Sequence, residues 1–138
     1  MRVGVVFFGA GKRDTVAEIA RGIVAGLERQ GHQVDLIDGD KDRDTKLTVY
    51  QYVAVGTVSR SLFGGRLDPK IAEYLSSGGM LGGKRTFAFV GRSVFGAQKA
   101  LSRLMKALEH EGMFIRFSEI LRSRSEAELV GSRLKVEP

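Results

Sequence analysis

Short apolar runs that alternate with amphipathic segments constrain the fold of this chain most strongly. Residues 2–8 are nearly continuously apolar, as in a strand that is covered on both faces. From Val16 onward, apolar residues recur every three or four positions, which is typical of one face of a helix. Asp14 or Thr15 is suited to cap the start of this helix, and Gly31 stands where a C-terminal glycine belongs.

The alternation continues to the end of the chain. We predict further strands at 33–38, 51–57, 85–91 and 113–117, and further helices at 68–75, 97–112 and 125–134. Strands that alternate with helices indicate a parallel sheet with helices on both faces, and right-handed crossovers leave few topologies. The sequence therefore predicts an α/β fold: a single domain, 1–138, built as a three-layer α/β/α sandwich on a five-stranded parallel sheet of order 2-1-3-4-5.

Three details of the helices add to this prediction. Gly22 and Gly26 lie four positions apart in the first helix, where glycine lowers helix propensity. Their spacing suggests a close approach of that helix to the sheet. Ser123 or Ser125 is expected to cap the last helix. The charged segment 38–46 contains no apolar residue and is expected to be an exposed loop.

Composition excludes several classes of site. The chain has no cysteine, which excludes disulfides and thiolate chemistry, and His32 and His110 are its only imidazoles, which excludes a multi-histidine metal site. No apolar run approaches the roughly 20 residues of a membrane span. We expect a cytoplasmic protein without a signal peptide. The net charge of +6 suggests an anionic ligand or, equally, a merely basic solvated surface.

Three loops are expected to form the ligand crevice. In a sheet of this order, ligands bind outside the carboxyl ends of the strands, between strands 1 and 3. The loops 9–15, 57–65 and 91–97 should meet there. Basic residues lie in or beside these loops at Lys12, Arg13, Arg60, Arg66 and Arg92, whereas an acidic cluster, 38–44, follows strand 2. This asymmetry predicts a phosphorylated or otherwise anionic ligand at the edge.

The first loop ends a strand and begins a helix, which is a favourable site for an anion. It does not match a nucleotide-binding P-loop, because Arg13 follows Gly11 and Lys12. It does not match the dinucleotide fingerprint either, because Asp14 stands where a glycine is required. Backbone N–H groups, the Thr15 hydroxyl and two basic side chains remain as phosphate ligands. The alternative is a plain connection with solvated basic residues.

The other two loops each carry an aromatic residue beside glycine. Phe63 and Phe95 could flank a flat ring, or each could fold back over the core as a lid. Ser59, Ser61 and Ser93 have no evident histidine partner, and no pair of carboxylates converges in the loops. The sequence therefore predicts no catalytic residues and no metal site, and any chemistry would belong to a cofactor.

With these loops the chain resembles the flavodoxin family from residue 3 to about residue 134, best at 5–38, 52–75 and 87–112. In that family the first loop typically reads Ser/Thr-x-Thr-Gly-Asn-Thr and wraps the phosphate of flavin mononucleotide (FMN). The other two loops usually hold the isoalloxazine ring. The resemblance implies a cofactor-binding set of Gly9, Ala10, Gly11, Lys12, Arg13, Asp14, Thr15, Thr57, Val58, Ser59, Arg60, Phe63, Gly64, Gly91, Arg92, Ser93 and Phe95.

The chain departs from the family pattern in its first loop and in its charge. Ala10 and Lys12 stand where phosphate-binding hydroxyls are usual, and Arg13 replaces the glycine, while Thr15 is retained. Lys12 and Arg13 would substitute charge for the missing hydroxyls. In its second loop the chain resembles the quinone-reductase and protoporphyrinogen-oxidase branches of the family, which can carry an arginine near the position of Arg60. Electron-shuttle flavodoxins are usually acidic, so a basic chain is not expected to dock on basic redox partners.

Three functions follow from the sequence. The leading one is a cytoplasmic FMN-binding protein that acts in electron transfer with a redox partner protein, or as a small flavin-dependent, quinone-reductase-like enzyme. The second is a binding or interaction domain that kept the fold and lost the flavin. A nucleic-acid accessory protein ranks last, because no basic run is interleaved with aromatic residues.

Overall fold

The computed structural model describes residues 1–9, 13–59, 67–93 and 96–137. Its strands form one parallel sheet in the predicted order, β2-β1-β3-β4-β5. The strands are β1 (Arg2–Phe7), β2 (Gln33–Asp38), β3 (Tyr52–Val58), β4 (Arg85–Gly91) and β5 (Phe114–Leu121). The α/β fold predicted from the alternation is therefore confirmed.

Helices cover both faces of the sheet. They are α1 (Arg13–Arg29), α2 (Lys70–Ser77), α3 (Ala97–His110) and α4 (Arg124–Arg133), and a short 3₁₀ turn lies at Leu47–Val49. One buried cluster joins α1 and α4 to side chains such as Val5 and Phe87. The other joins α2 and α3 to side chains such as Val55 and Ala88. Because neighbouring strand residues point to opposite faces, the two clusters lie on either side of the sheet and make the three layers.

Three differences from the prediction exceed the shifts of one or two residues seen at most other element ends. Helix α1 begins at Arg13, so Asp14 and Thr15 lie in its first turn and do not precede it. The 3₁₀ turn was not predicted. Strand β5 runs on to Leu121, and its pairing with β4 shifts register between Thr86 and Phe87, which leaves a β-bulge there. A half-exposed edge strand lacks the continuous apolar run that marks the strands of the sheet interior.

The start of α4 is capped by a serine, as the sequence predicts. The Ser123 hydroxyl oxygen accepts a hydrogen bond from the Glu126 N–H at 3.2 Å, which satisfies one of the free donors at the helix start. The Glu126 carboxylate in turn accepts from the Arg122 N–H at 3.2 Å. Ser123, not Ser125, is therefore the cap.

Helices α1 and α4 touch through their backbones. A Cβ atom on Gly22 would lie 2.5 Å from the Arg124 carbonyl oxygen, and one on Gly131 would lie 2.7 Å from the Ile23 carbonyl oxygen. A Cβ on Gly26 would lie within 2.7 Å of three backbone atoms of α4, on Glu128, Gly131 and Ser132. The close approach predicted from the glycine spacing is thus real, but its partner is a helix and not the sheet.

Replacing Gly26 by alanine tests this contact. Gly26→Ala should lower the free energy of unfolding by about 1–3 kcal/mol, because the added methyl group forces the helices apart. It should do so even though alanine favours an isolated helix by about 1 kcal/mol. Urea unfolding measures the change. The control is Gly82→Ala, since a Cβ there meets nothing within 4 Å and the backbone needs no left-handed conformation. Equal stability of the two variants would contradict the contact.

The three tyrosines of the chain are all buried. Burial is the main cause that raises the pKa of Tyr50, Tyr52 and Tyr74 to about 12 in each case. The Tyr50 hydroxyl donates to the Asp35 carboxylate at 2.8 Å, and the Tyr74 hydroxyl donates to the Thr45 carbonyl oxygen at 2.7 Å. Among the described residues, the buried Tyr52 hydroxyl has no hydrogen-bond partner.

The raised tyrosine pKa values make the fold sensitive to alkali. Between about pH 10 and about pH 12, an unfolded tyrosine loses its proton and a folded one keeps it, so stability falls as the pH rises through this window. Tyrosinate absorbance should therefore appear only together with loss of the circular-dichroism signal. The Tyr52→Phe variant should show a shallower loss of stability in the same window. Tyrosines that all titrate near pH 10 in the folded protein would contradict this.

Candidate functional site

The candidate site lies at the carboxyl edge of the sheet. Strands β1, β3 and β4 all run towards this edge, so the loops that follow them converge there. The chain leaves β1 for α1 on one face and leaves β3 for α2 on the other. The gap between these two connections is the switch point at which sheets of this order hold ligands.

Hydrogen bonds join Phe8, which directly precedes the first loop, to the end of β3, where the second loop begins. The Phe8 N–H donates to the Gly56 carbonyl oxygen at 3.0 Å, and the buried Thr57 hydroxyl donates to the Phe8 carbonyl oxygen at 2.8 Å. The Phe8 ring is fully buried and meets Tyr74 edge-on, with ring centroids 5.5 Å apart. The Thr57 hydroxyl therefore holds the two loops together and is already engaged.

An acidic loop reaches the same edge from β2. The Gly9 N–H donates to Asp40 Oδ2 at 3.0 Å, and the Asp40 N–H donates to Asp38 Oδ1 at 3.0 Å. Asp42 extends the chain of bonds, since its carboxylate accepts from the Asp38 N–H at 3.2 Å. All strands are parallel, so the loop after β2 must end at the edge that carries the basic loops. The expected separation between a basic ligand edge and the acidic cluster 38–44 is therefore wrong.

Asp40 has one oxygen that is not satisfied. Among the described residues, its buried Oδ1 atom has no hydrogen-bond partner, and the ammonium group of Lys70 lies 4.0 Å away. The carboxylate thus brings negative charge and one open acceptor to the start of the first loop. The sequence signal for it was the acidic run itself, and the loop was assigned no role because it was expected to be solvated.

The third loop borders an open cavity of about 450 Å³. Arg92, Ser93 and Arg122 are among its lining residues. The Arg92 N–H donates to the Leu121 carbonyl oxygen at 2.8 Å, which ties the end of β4 to the end of β5. Gly96 caps α3 with a left-handed φ of 82°, a conformation that favours glycine. Sequence reasoning named Arg92 and Ser93 and missed Arg122, because β5 was expected to end before reaching this edge.

The predicted site residues differ in where they lie, and one of them, Arg13, is the first residue of α1. Ala10, Gly11, Lys12, Arg60, Phe63, Gly64 and Phe95 lie outside the described residues. Asp14, Thr15 and Arg92 are exposed, Ser93 is half-buried, and Gly9, Gly91, Thr57, Val58 and Ser59 are buried. Val58 packs in the cluster beneath α1 and α4. The side chains of the β3 end therefore serve the core, and a ligand would meet this segment through its backbone.

The histidines lie away from the crevice. His32 precedes β2, and partial burial together with the N-terminal ammonium group lowers its pKa. His110 ends α3 and lies 3.4 Å from the Glu111 carboxylate. Among the described residues, no group of three or more His, Cys, Asp or Glu side chains could hold a metal ion. Over the same ranges, no helix has the length and apolar character needed to cross a membrane.

The bond between the first two loops can be tested by removing one hydroxyl. Thr57→Val keeps the shape of the side chain but leaves the Phe8 carbonyl oxygen without its donor, so the free energy of unfolding should fall by about 1–3 kcal/mol. Guanidinium unfolding measures it. The exposed Thr48 offers a matched Thr→Val change, which should alter stability by less than about 0.5 kcal/mol. Equal effects of the two changes would show that the bond does not stabilise the edge.

Comparison with solved structures identifies the fold. Oxidised flavodoxin 1 from Bacillus cereus matches with a TM-score of 0.72 at 17% identity, over 94% of this chain and 95% of that chain. A flavodoxin from the domain Archaea matches with a TM-score of 0.66 at 19% identity, over 96% and 95%. A flavodiiron protein from Giardia intestinalis matches with a TM-score of 0.65 at 16% identity, over 96% of this chain and 36% of that chain.

Comparison of the sequence alone gives no such match. No protein-family model matches it, and no curated protein was found to be similar to it. The chain therefore has a flavodoxin-like fold, recognised through the arrangement of its backbone.

Proposed function

We propose that this chain binds FMN at the carboxyl edge of its sheet and acts as an electron carrier or as a small flavin-dependent reductase. The observation that carries the proposal is the strand order β2-β1-β3-β4-β5, which gathers the loops after β1, β3 and β4 around one switch point. The flavodoxin-like fold supports the same assignment. FMN would supply the redox chemistry, and the chain would bind and orient it.

The phosphate would lie at the start of α1. The first N–H groups of a helix have no partner within it, and their dipoles favour a negative charge. Helix α1 begins within a few residues of β1, and Thr15 is exposed in its first turn, where its hydroxyl can donate to a phosphate oxygen. Lys12 and Arg13 would add positive charge. Asp40, which accepts from the Gly9 N–H, opposes them.

The flavin ring would lie between the loops 57–65 and 91–97. Phe63 and Phe95 are the aromatic residues that would flank it. The backbone at the end of β3 would face the reactive part of the ring, because the side chains of Thr57 and Val58 are buried. The bond from the Thr57 hydroxyl to the first loop would keep the phosphate site and the ring site in a fixed relation.

The charge of the chain bears on its redox partner. With a net charge of +6, it would meet an acidic protein surface more readily than a basic one, and salt would weaken that encounter. We extend the proposal to a cytoplasmic location and to a single domain over residues 1–138.

A second function is a flavodoxin-like domain that does not hold flavin. The specific observation in its favour is Asp40. A carboxylate that accepts from Gly9 at the start of the first loop repels the phosphate dianion and occupies one N–H donor beside it. Removal of the Asp40 charge, followed by measurement of FMN binding, therefore bears on both functions.

Flavin titration distinguishes the two functions. FMN should bind at micromolar protein with quenched fluorescence, and riboflavin, which lacks the phosphate, should bind more weakly. Thr15→Val and Lys12→Ala should each weaken FMN roughly tenfold, with riboflavin unchanged, because they remove donors to a charged group. Asp40→Asn should strengthen FMN binding, because it removes a like charge.

The control for these variants is Lys106→Ala on α3, far from the carboxyl edge. If neither flavin is retained by the unaltered chain or by Asp40→Asn, the second function replaces the first. Weaker FMN binding in Lys106→Ala as in Lys12→Ala would show a response to net charge alone, and the phosphate would not be at α1.

A further inference from the structure

A second cavity lies at the opposite edge of the sheet. It has a volume of about 410 Å³ and opens between α4 and the amino ends of β3, β4 and β5. Tyr52, Phe117, Leu129 and Leu134 provide most of its apolar lining. Strand β3 separates it from the carboxyl edge by roughly 20 Å, at about 3.3 Å per residue.

The packing of α4 leaves this cavity open. The helix is held against α1 by glycine contacts, so part of the β4–β5 face stays uncovered. Phe117 remains 43% exposed and Leu129 remains 49% exposed. The Phe117 ring stacks on Phe87 with centroids 5.5 Å apart and planes 20° apart, which provides a flat aromatic floor. An exposed apolar surface that is also concave is suited to a small apolar ligand.

Tyr52 places a buried, unsatisfied hydroxyl in the wall of the cavity. The residue is only 1% exposed and lines the cavity, and its hydroxyl has no hydrogen-bond partner among the described residues. A buried hydroxyl without a partner is destabilising, and a polar atom of a ligand would relieve that cost. A purely apolar groove would have no use for the Tyr52 hydroxyl, and a phenylalanine at this position would avoid its cost.

The rim of the cavity is positively charged. Arg85, Arg116, Arg133 and Lys135 line it, against one carboxylate, that of Glu137. Glu137 is paired with Lys135 at 3.5 Å, and no acidic side chain within the described ranges pairs with the three arginines. Guanidinium groups present a planar set of donors that matches a carboxylate or a sulfonate.

We propose that this cavity binds a small amphipathic anion, with its apolar body against Phe117 and Leu129 and its acidic group at Arg116 and Arg133. The volume is within the range of small-molecule sites, about 300–1,000 Å³. The Tyr52 hydroxyl meets a polar atom of the same ligand. The site does not depend on FMN binding, because its residues lie at the other end of the strands.

Two fluorescent probes that differ by one charge test this proposal. Anilinonaphthalene sulfonate has an apolar body and a sulfonate, and N-phenyl-naphthylamine has the same body without the sulfonate. The sulfonate probe should bind the folded chain at one saturable site, at least tenfold more tightly than the neutral probe. The double variant Arg116→Gln, Arg133→Gln should remove this tenfold preference and leave the neutral probe unchanged.

Two further variants locate the probe. Arg92→Gln removes an arginine at the carboxyl edge and should leave the affinity of the sulfonate probe unchanged. Tyr52→Phe should weaken the sulfonate probe several-fold while the urea midpoint of unfolding stays the same or rises, since the removed hydroxyl has no partner to lose. Thus a loss of binding in Tyr52→Phe would not reflect misfolding.

Three outcomes would overturn the proposal. Equal affinity for the two probes would mean an apolar patch without anion recognition. Sensitivity to Arg92→Gln, with none to the double variant, would place the probe in the carboxyl-edge crevice. Sedimentation that shows a dimer of the chain, together with probe binding only to the monomer, would make this face a contact between copies.

Discussion

The backbone contact between α1 and α4 fixes how these two helices pack together on one face of the sheet. It holds the middle of α1 against α4, with Gly22 beside Arg124 and Ala127 and with Gly26 beside Gly131, at a separation that no larger side chain would permit. The Gln30 side chain adds to it by donating to the Gly131 carbonyl oxygen at 2.7 Å. In this position α4 leaves part of β5 uncovered, where Phe117 stays exposed.

The crevice at the carboxyl edge is a balance of opposite charges. Parallel pairing sends every strand of the sheet to the same edge, and the acidic loop after β2 arrives there with the basic loops. Asp40 meets Gly9 in this way, while Arg92 approaches from the side of β4. The net charge of the chain therefore does not give the sign of the electrostatic potential in the crevice. That sign depends on a few side chains near the edge.

Apolar runs and helical stripes in the sequence located the main elements of the fold. Strands β2 and β4 have the predicted bounds, and the helical stripes gave α1 and α3. The apolar pattern of β5 breaks at Ser118 and Glu119, so the strand was expected to end at Phe117, and its full length and the position of Arg122 were missed. The spacing of Gly22 and Gly26 indicated a close approach but could not identify its partner. A threonine hydroxyl such as that of Thr57 can bind a ligand. Only the structure shows that this hydroxyl instead donates to the Phe8 carbonyl oxygen.

The β-bulge in β5 has a consequence for how copies of this chain meet. An edge strand offers a row of free backbone groups to any other strand, and Phe114 and Phe117 make this edge apolar as well. The register shift opposite Thr86 and Phe87 interrupts that row, and it brings the charged Arg116 to the same place. A second chain could therefore not extend the sheet in an unbroken ladder. The β-bulge therefore hinders strand pairing between molecules at an edge that is otherwise apolar and open.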